Sequence, residues 1–533
     1  MSVGRHDIWG RHISEYFLKD PANAFFPKDT PAPTSRHAKT VAIPHLQHMA
    51  FAGPSSETCS MLTSVLYLVR YPKELRSLDN TLLLSRCMAI LRTFTDDLEP
   101  GGNKLFTYEL GFLCFRVIVL LIQVGILTHT NTFGAFVRQT SNLSDPQAIS
   151  TALAAFVARL AVQFSSSDNP RDKLFGILTS QSGGRMFLRT VGGFYNTDIS
   201  FFLNVIWNDR KNFSVICSQS LTSGWSFALL VLGEHMQWAV EVDSENDEKW
   251  RLLHTLCFRY ILSTLNPDET FFLTGICRDA SLYRYDDDDN EYYIISFVDM
   301  TDARNVMGAY VNRMKLISTG ERLSSEILGL LLGFITQDVM LDVRQLLPGF
   351  LAVTCSWIWE ELCLGSPEHL SRNSDLINCA AQTLDFAGKC YTISSNAGSK
   401  TIASYTKALS EQDFINLVGR LILAPLAVGS AVNNFSIGRD NDDLEVPDMW
   451  INLVQGPVVN FGREYVQTGK GSSGLLAGSY LDWLKTWRGF RAGFPHYNTK
   501  EGWYQTYTKE CVNAWLTLGD AFGYGDRLSR EQY

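Results

Sequence analysis

The sequence predicts an all-α protein, built as an irregular multi-helix array or a large helical globule, with at most one short β element near 292–298. Three observations carry this expectation. Apolar residues recur at helical spacing along most of the chain. Proline directly follows a capping residue at four places. Runs of β-branched and aromatic residues are scarce. The 533 residues are 46% hydrophobic and 19% charged, a globular balance with ample material for a core.

The elements follow in chain order. Helices are expected near 57–71, 80–94 and 104–127. The last contains Leu110 to Leu127, an apolar run of 18 residues interrupted by Arg116 and Gln123. A charge at membrane depth is costly, so this run reads as a buried core helix and not as a span. Asp145-Pro146, Asn169-Pro170, Asn266-Pro267 and Ser366-Pro367 mark helix starts, because proline at the first helical position gives up no needed N–H. Leu153, Phe156, Val157 and Leu160 share one face, as do Trp250, Leu253, Cys257, Tyr260 and Ile261. Ala303, Val306, Met307, Tyr310, Val311 and Met314 form a third face after a candidate cap at Thr301. Further helices are expected near 197–208, 224–240, 322–337, 349–364, 374–390, 411–424, 475–490 and 499–519. The strand candidate is Tyr292 to Val298. Pro21 to Pro44 reads as extended over the surface, and 284–291 and 438–447 read as polar connectors.

These signals divide the chain into an N-terminal helix and Pro-rich segment (1–52), a helical unit (53–283), an acidic connector (284–300), a second helical unit (301–440) and an aromatic-rich C-terminal helical unit (441–533). No tetratricopeptide, ankyrin or leucine-rich signature is present. Irregular helix pairs of the HEAT or armadillo kind need little consensus, and fit as well as one globule.

Charge narrows the partner classes. The net charge is −9, and residues 241–300 hold 14 Asp or Glu against 5 Lys or Arg. Removing them from totals of 55 and 46 leaves 41 acids and 41 bases. The imbalance therefore sits in one window, and no basic field invites a phosphate backbone. Nucleic acid is not an expected partner. Eleven cysteines, none in a C-x-x-C pair, lie mostly in apolar runs, which suits free thiols in a reducing compartment. The first 16 residues lack the apolar core of a secretory signal. The expectation is an intracellular, cytoplasmic protein without integral membrane association.

The sharpest local feature is Asp286-Asp287-Asp288-Asp289-Asn290-Glu291. As an EF-hand loop it lacks Gly at the sixth position and Glu at the twelfth. Asp287, Asp288 and Glu291 loosely match a magnesium-diphosphate pattern, but no second carboxylate set has the required spacing. A solvated acidic loop, or a contact for a basic partner, fits better. His45 and His48 can face one way on a helix but lack further zinc ligands nearby. Gly469-Lys470-Gly471-Ser472-Ser473-Gly474 fails as a phosphate loop because Gly follows the lysine. No motif assembles a catalytic triad. Near the C-terminus, Tyr480, Trp483, Trp487, Phe490 and Phe494 step at helical spacing. Trp483 and Trp487 are interaction candidates, although a helix pair joined by large rings fits that spacing better. The sequence therefore leads to a non-catalytic scaffold that binds proteins through its acidic window, with no cofactor. An enzyme on a helical scaffold, metal-dependent through the acidic cluster, is the alternative.

Overall fold

A computed structural model describes residues 5–17, 34–49, 54–96, 104–165, 179–180, 185–186, 196–218, 224–240, 247–282, 298–315, 323–336, 345–365, 373–396, 399–427, 445–468, 480–497, 503–522 and 524. Helices account for most of them, so the protein is predominantly all-α. The chain divides into two compact units, Met1–Tyr292 and Tyr293–Tyr533.

Unit 1 contains α1 (Ile13–Tyr16), α2 (Ile43–His48), α3 (Thr58–Leu66), α4 (Thr81–Asp96), α5 (Glu109–His129), α6 (Phe133–Thr140), α7 (Pro146–Ser165), α8 (Asn196–Asn208), α9 (Arg210–Ser218), α10 (Ser226–Val240), α11 (Asp247–Ile261) and α12 (Pro267–Leu282). Every residue of α5 from Leu110 to Leu127 is buried. A helix apolar on all sides has no wet face, so it belongs at the centre of a unit. Helices α3, α4, α7 and α10 enclose it. It is long and apolar enough to cross a membrane, and its most apolar window is 94% buried inside the protein. Arg116 is buried with it, its guanidinium 5.5 Å from the Phe112 ring, and burial lowers its pKa to about 9. Gln123, also on α5, meets the turn before α10. A Cβ on Gly224 would lie 2.0 Å from Gln123 Nε2, and Gly224 has φ +89°. Both the space and the backbone there require glycine.

Unit 2 contains α13 (Met300–Lys315), α14 (Ser325–Thr336), α15 (Leu347–Leu364), α16 (Ser374–Asn396), α17 (Ser399–Glu411), α18 (Phe414–Ala427), α19 (Glu445–Leu453), α20 (Val459–Thr468), α21 (Tyr480–Tyr497) and α22 (Trp503–Ala521). Its centre is α16, which touches α14, α15, α17, α19 and α20. The apolar repeat Leu376, Ile377, Ala380, Leu384, Ala387 and Tyr391 is buried, and its 3.6-residue period explains why this segment is a helix facing several neighbours.

Several expectations change. The prolines of 21–44 suggest an extended run, but Ser35–His37, Ala38–Ala42 and Ile43–His48 are helical, with Ala38, Ala42 and Leu46 buried. The middle piece is a π-turn just before Pro44. A second π-turn, Val454–Val458, contains Pro457 between α19 and α20. The wider turn relieves the ring clash and the missing N–H that would otherwise stop a helix. Residues 104–108 form a turn before α5. The cap of α13 is Asp299, whose Oδ1 accepts from the N–H groups of Thr301 and Asp302 at 2.9 Å, so Thr301 lies inside the helix. Helices α6, α9, α17, α19 and α20 had no sequence expectation.

Strand structure among the described residues is an antiparallel pairing of β1 (Thr179–Ser180) with β2 (Arg185–Met186). Two residues a side are too few to give a period-two signal. Of the strand candidate 292–298, residues 292–297 lie outside the described residues and Val298 is an exposed bend, and the helix starts at Pro170 and Pro367 also lie outside the described residues. The unit boundary at 292/293 falls within the acidic stretch 284–300. The described parts of 1–52 belong to unit 1, and 441–533 shares unit 2 with 301–440.

Candidate functional site

The acidic residues Asp286, Asp287, Asp288, Asp289 and Glu291 lie outside the described residues, as does the 469–474 segment. Among the described residues, no group of three or more His, Cys, Asp or Glu side chains could hold a metal. His45 and His48 sit on the short α2.

Trp483 is fully buried. Its Nε1 donates to the Trp515 carbonyl at 3.1 Å, and Trp515 Nε1 donates to the Trp483 carbonyl at 3.2 Å. The rings are parallel within 6°, with centroids 6.2 Å apart. This reciprocal pair joins α21 to α22. Trp487 is half-buried and stacks on Trp483 at 6.3 Å.

The most developed polar site of unit 1 lies where α11 turns into α12. Asn266 caps α12, its Oδ1 accepting from the Asp268 N–H at 3.0 Å. Glu269 is the third helical residue, so Asn266-Pro267-Asp268-Glu269 is a capping-box pattern. Its carboxylate turns inward as well as back. Oε1 accepts from Asn266 Nδ2 at 3.2 Å, while Oε2 accepts from the Ser226 and Tyr260 hydroxyls, each at 2.6 Å. The Gly224 N–H is a fourth donor. Glu269 and Ser226 are fully buried and Tyr260 nearly so. Burial outweighs the four donors and raises the carboxyl pKa, and it pushes the Tyr260 hydroxyl well above its ordinary range. One carboxyl thus ties three helices, α10, α11 and α12, at one point.

A second buried carboxyl lies at the bend between α8 and α9. Asp209 accepts from the Phe106 N–H at 2.7 Å and from Asn212 Nδ2 at 2.8 Å. Burial raises its pKa to about 7, against the lowering effect of those two donors and of Lys104. Phe106, Phe213 and Trp225 surround this bend. Phe106 stacks on Trp225 within 8° at 5.8 Å, and Phe213 lies 6.1 Å from the same indole.

The carboxyl of Glu269 is closed in by protein, so its physical effect is to hold the corner rigid. The outward side of that corner carries two large apolar groups, Leu265 at 48% exposure and Phe271 at 55%. Asp268 and Arg278 share the outward face of α12 with Phe271 at helical spacing. The Asn-Pro-Asp-Glu pattern could have identified Glu269 from the sequence. Asp209 had no such signal, because a lone acid between two helices reads as a solvated turn.

The thiols are buried or shielded for the most part. All eleven cysteines are free, nine are buried, and Cys363 is exposed. Burial raises the Cys217 thiol well above its usual range and Cys59 to about 12. Among protein sequences, no family model and no curated protein matches this chain.

Proposed function

We propose that the chain is a non-catalytic intracellular protein–protein interaction or scaffold protein, and that the rigid corner Leu265 to Phe271 is a contact surface for a protein partner. The observation that carries this reading is the pair Leu265 and Phe271, which expose apolar area on a corner that buried Glu269 holds in place. A preorganised aromatic anchor loses little entropy on binding, and such anchors dominate interface energies. The corner lies inside the acidic window 241–300, which favours a partner with a basic rim around an apolar socket. The eleven free thiols support a reducing, cytoplasmic setting.

Photo-crosslinking tests this. Phe271 is replaced by benzoyl-phenylalanine in the full chain, with a second version carrying the same group at exposed Leu481 as a control. Irradiation in source cells is expected to give one dominant protein adduct at position 271. Changing Leu265 to Asp should abolish it. An adduct at 481 alone would move the interface away from the corner. No adduct at either position would remove the interaction reading.

A further inference from the structure

Residues 5–17 lie against the 104–110 segment through main-chain bonds. Ile13 N–H donates to the Thr107 carbonyl at 2.9 Å, Glu109 N–H to Arg11 at 2.9 Å, and Leu110 N–H to Trp9 at 3.0 Å. Arg11 pairs with Glu109 at 2.6 Å. Tyr16, buried, donates its hydroxyl to the Phe106 carbonyl at 2.6 Å. Phe106 is thus held from two sides, its carbonyl by Tyr16 of this segment and its N–H by Asp209.

We infer that residues 5–17 form a strap docked on the 104–108 turn, and that a proton on the buried carboxyl of Asp209 holds this dock closed. Asp209 is 1% exposed, and both of its described side-chain donors are neutral groups, the Phe106 amide and the Asn212 carboxamide. Moving an ionised carboxyl into such a place is costly, so the charged form favours an opened dock in which water reaches it. Among the described residues, the charged or titratable groups around it include Lys104, which lowers its pKa, and Tyr16, whose hydroxyl the Asp209 charge pushes up. Arg11 and Glu109 lie across the dock. His6 and His12 stand on the strap, and Arg210 and Lys211 begin α9.

The sign follows from linkage. Asp209 titrates near 7 when enclosed and in the ordinary carboxylate range when open. The closed form therefore keeps a proton that the open form releases. Closure is strongest at low pH, weakens as pH rises through the interval up to about 7, and is constant above it.

Hydrogen exchange on the full chain reads this directly. Protection of the Ile13, Glu109 and Leu110 amides is measured between about pH 5 and 8 and corrected for intrinsic exchange. The open population is expected to rise about tenfold per pH unit up to about pH 7 and then level off. Asp209→Asn should flatten that rise. Tyr16→Phe should raise exchange at every pH while keeping the slope. A wild type without the rise would overturn the inference. So would a rise that persists in Asp209→Asn, which would assign it to His6 or His12. A Tyr16→Phe variant with unchanged protection would also overturn it, because Phe106 would then not couple the strap to Asp209.

Discussion

The corner around Glu269 in unit 1 and the Trp483–Trp515 pair in unit 2 meet the same need by different chemistry. Each fixes helices that have no covalent reason to stay in register. Unit 1 buries a carboxyl and surrounds it with Ser226, Tyr260, Asn266 and Gly224 donors. Unit 2 buries two indoles that satisfy each other's N–H through main-chain carbonyls. Elsewhere in unit 2 the same neutral logic recurs. Tyr310 bonds Thr354, Tyr405 bonds the Ala387 carbonyl, and Tyr507 bonds the Ile422 carbonyl. A carboxyl joint senses protons and depends on all of its donors. An indole joint depends on shape.

Shape gives the largest effect. Trp483→Ala removes a fully buried indole and leaves the Trp515 carbonyl without the N–H it accepts from, so unit 2 should lose about 3–5 kcal/mol. Gly519→Ala tests the same joint from the other side. A Cβ there would lie 2.4 Å from Trp483 Cζ2, which forces the ring or the helix to move, at about 1–3 kcal/mol. Urea unfolding followed by unit-resolved hydrogen exchange measures both. A Gly519→Ala protein that keeps wild-type protection in α21 and α22 would show that the ring pair is not close-fitting.

The carboxyl joint should give the next effect. Glu269→Ala strands three side-chain donors and one amide inside unit 1, with a loss of about 3 kcal/mol. Protection should fall in α10, α11 and α12 together, since Glu269 bonds residues on or beside all three. A loss confined to α12 would reduce Glu269 to an ordinary helix cap.

Much of this architecture is written locally. Asp145-Pro146 and Asn266-Pro267 start α7 and α12 where their caps say they should. The apolar run Leu110–Leu127, interrupted by Arg116 and Gln123 alone among its charged or amide side chains, identifies a helix buried on every side. Pro44 misleads because a π-turn lets a helix pass a proline, as one also does at Pro457, and that accommodation is set by the neighbours of the helix. Asp209 is invisible for a similar reason. Its burial comes from Phe106, more than 100 residues away in sequence, and no spacing rule reaches that far. Phe271 reads as a core residue by type, and only its position on the outward face of α12 makes it a surface group.

The smallest effect separates the two joints by pH. Glu269→Gln keeps the size of the side chain but replaces one accepting oxygen by an NH₂, which then faces a donor pair. It should cost about 1–3 kcal/mol at low pH. Because burial raises the Glu269 pKa, its folded form holds a proton that the unfolded form gives up. Wild-type stability from this group is complete below the ordinary carboxylate range, and it is lost as pH rises through the raised value. The amide variant has no such proton. The gap between Glu269→Gln and wild type should therefore be widest at about pH 4 and narrow toward pH 8, while the gap between Trp483→Phe and wild type stays level across the same interval. Chemical denaturation at four pH values, scored separately for the two units, measures both gaps. A Glu269 gap that widens with pH would mean that the four donors outweigh burial, and that unit 1 is held by an ionised carboxylate.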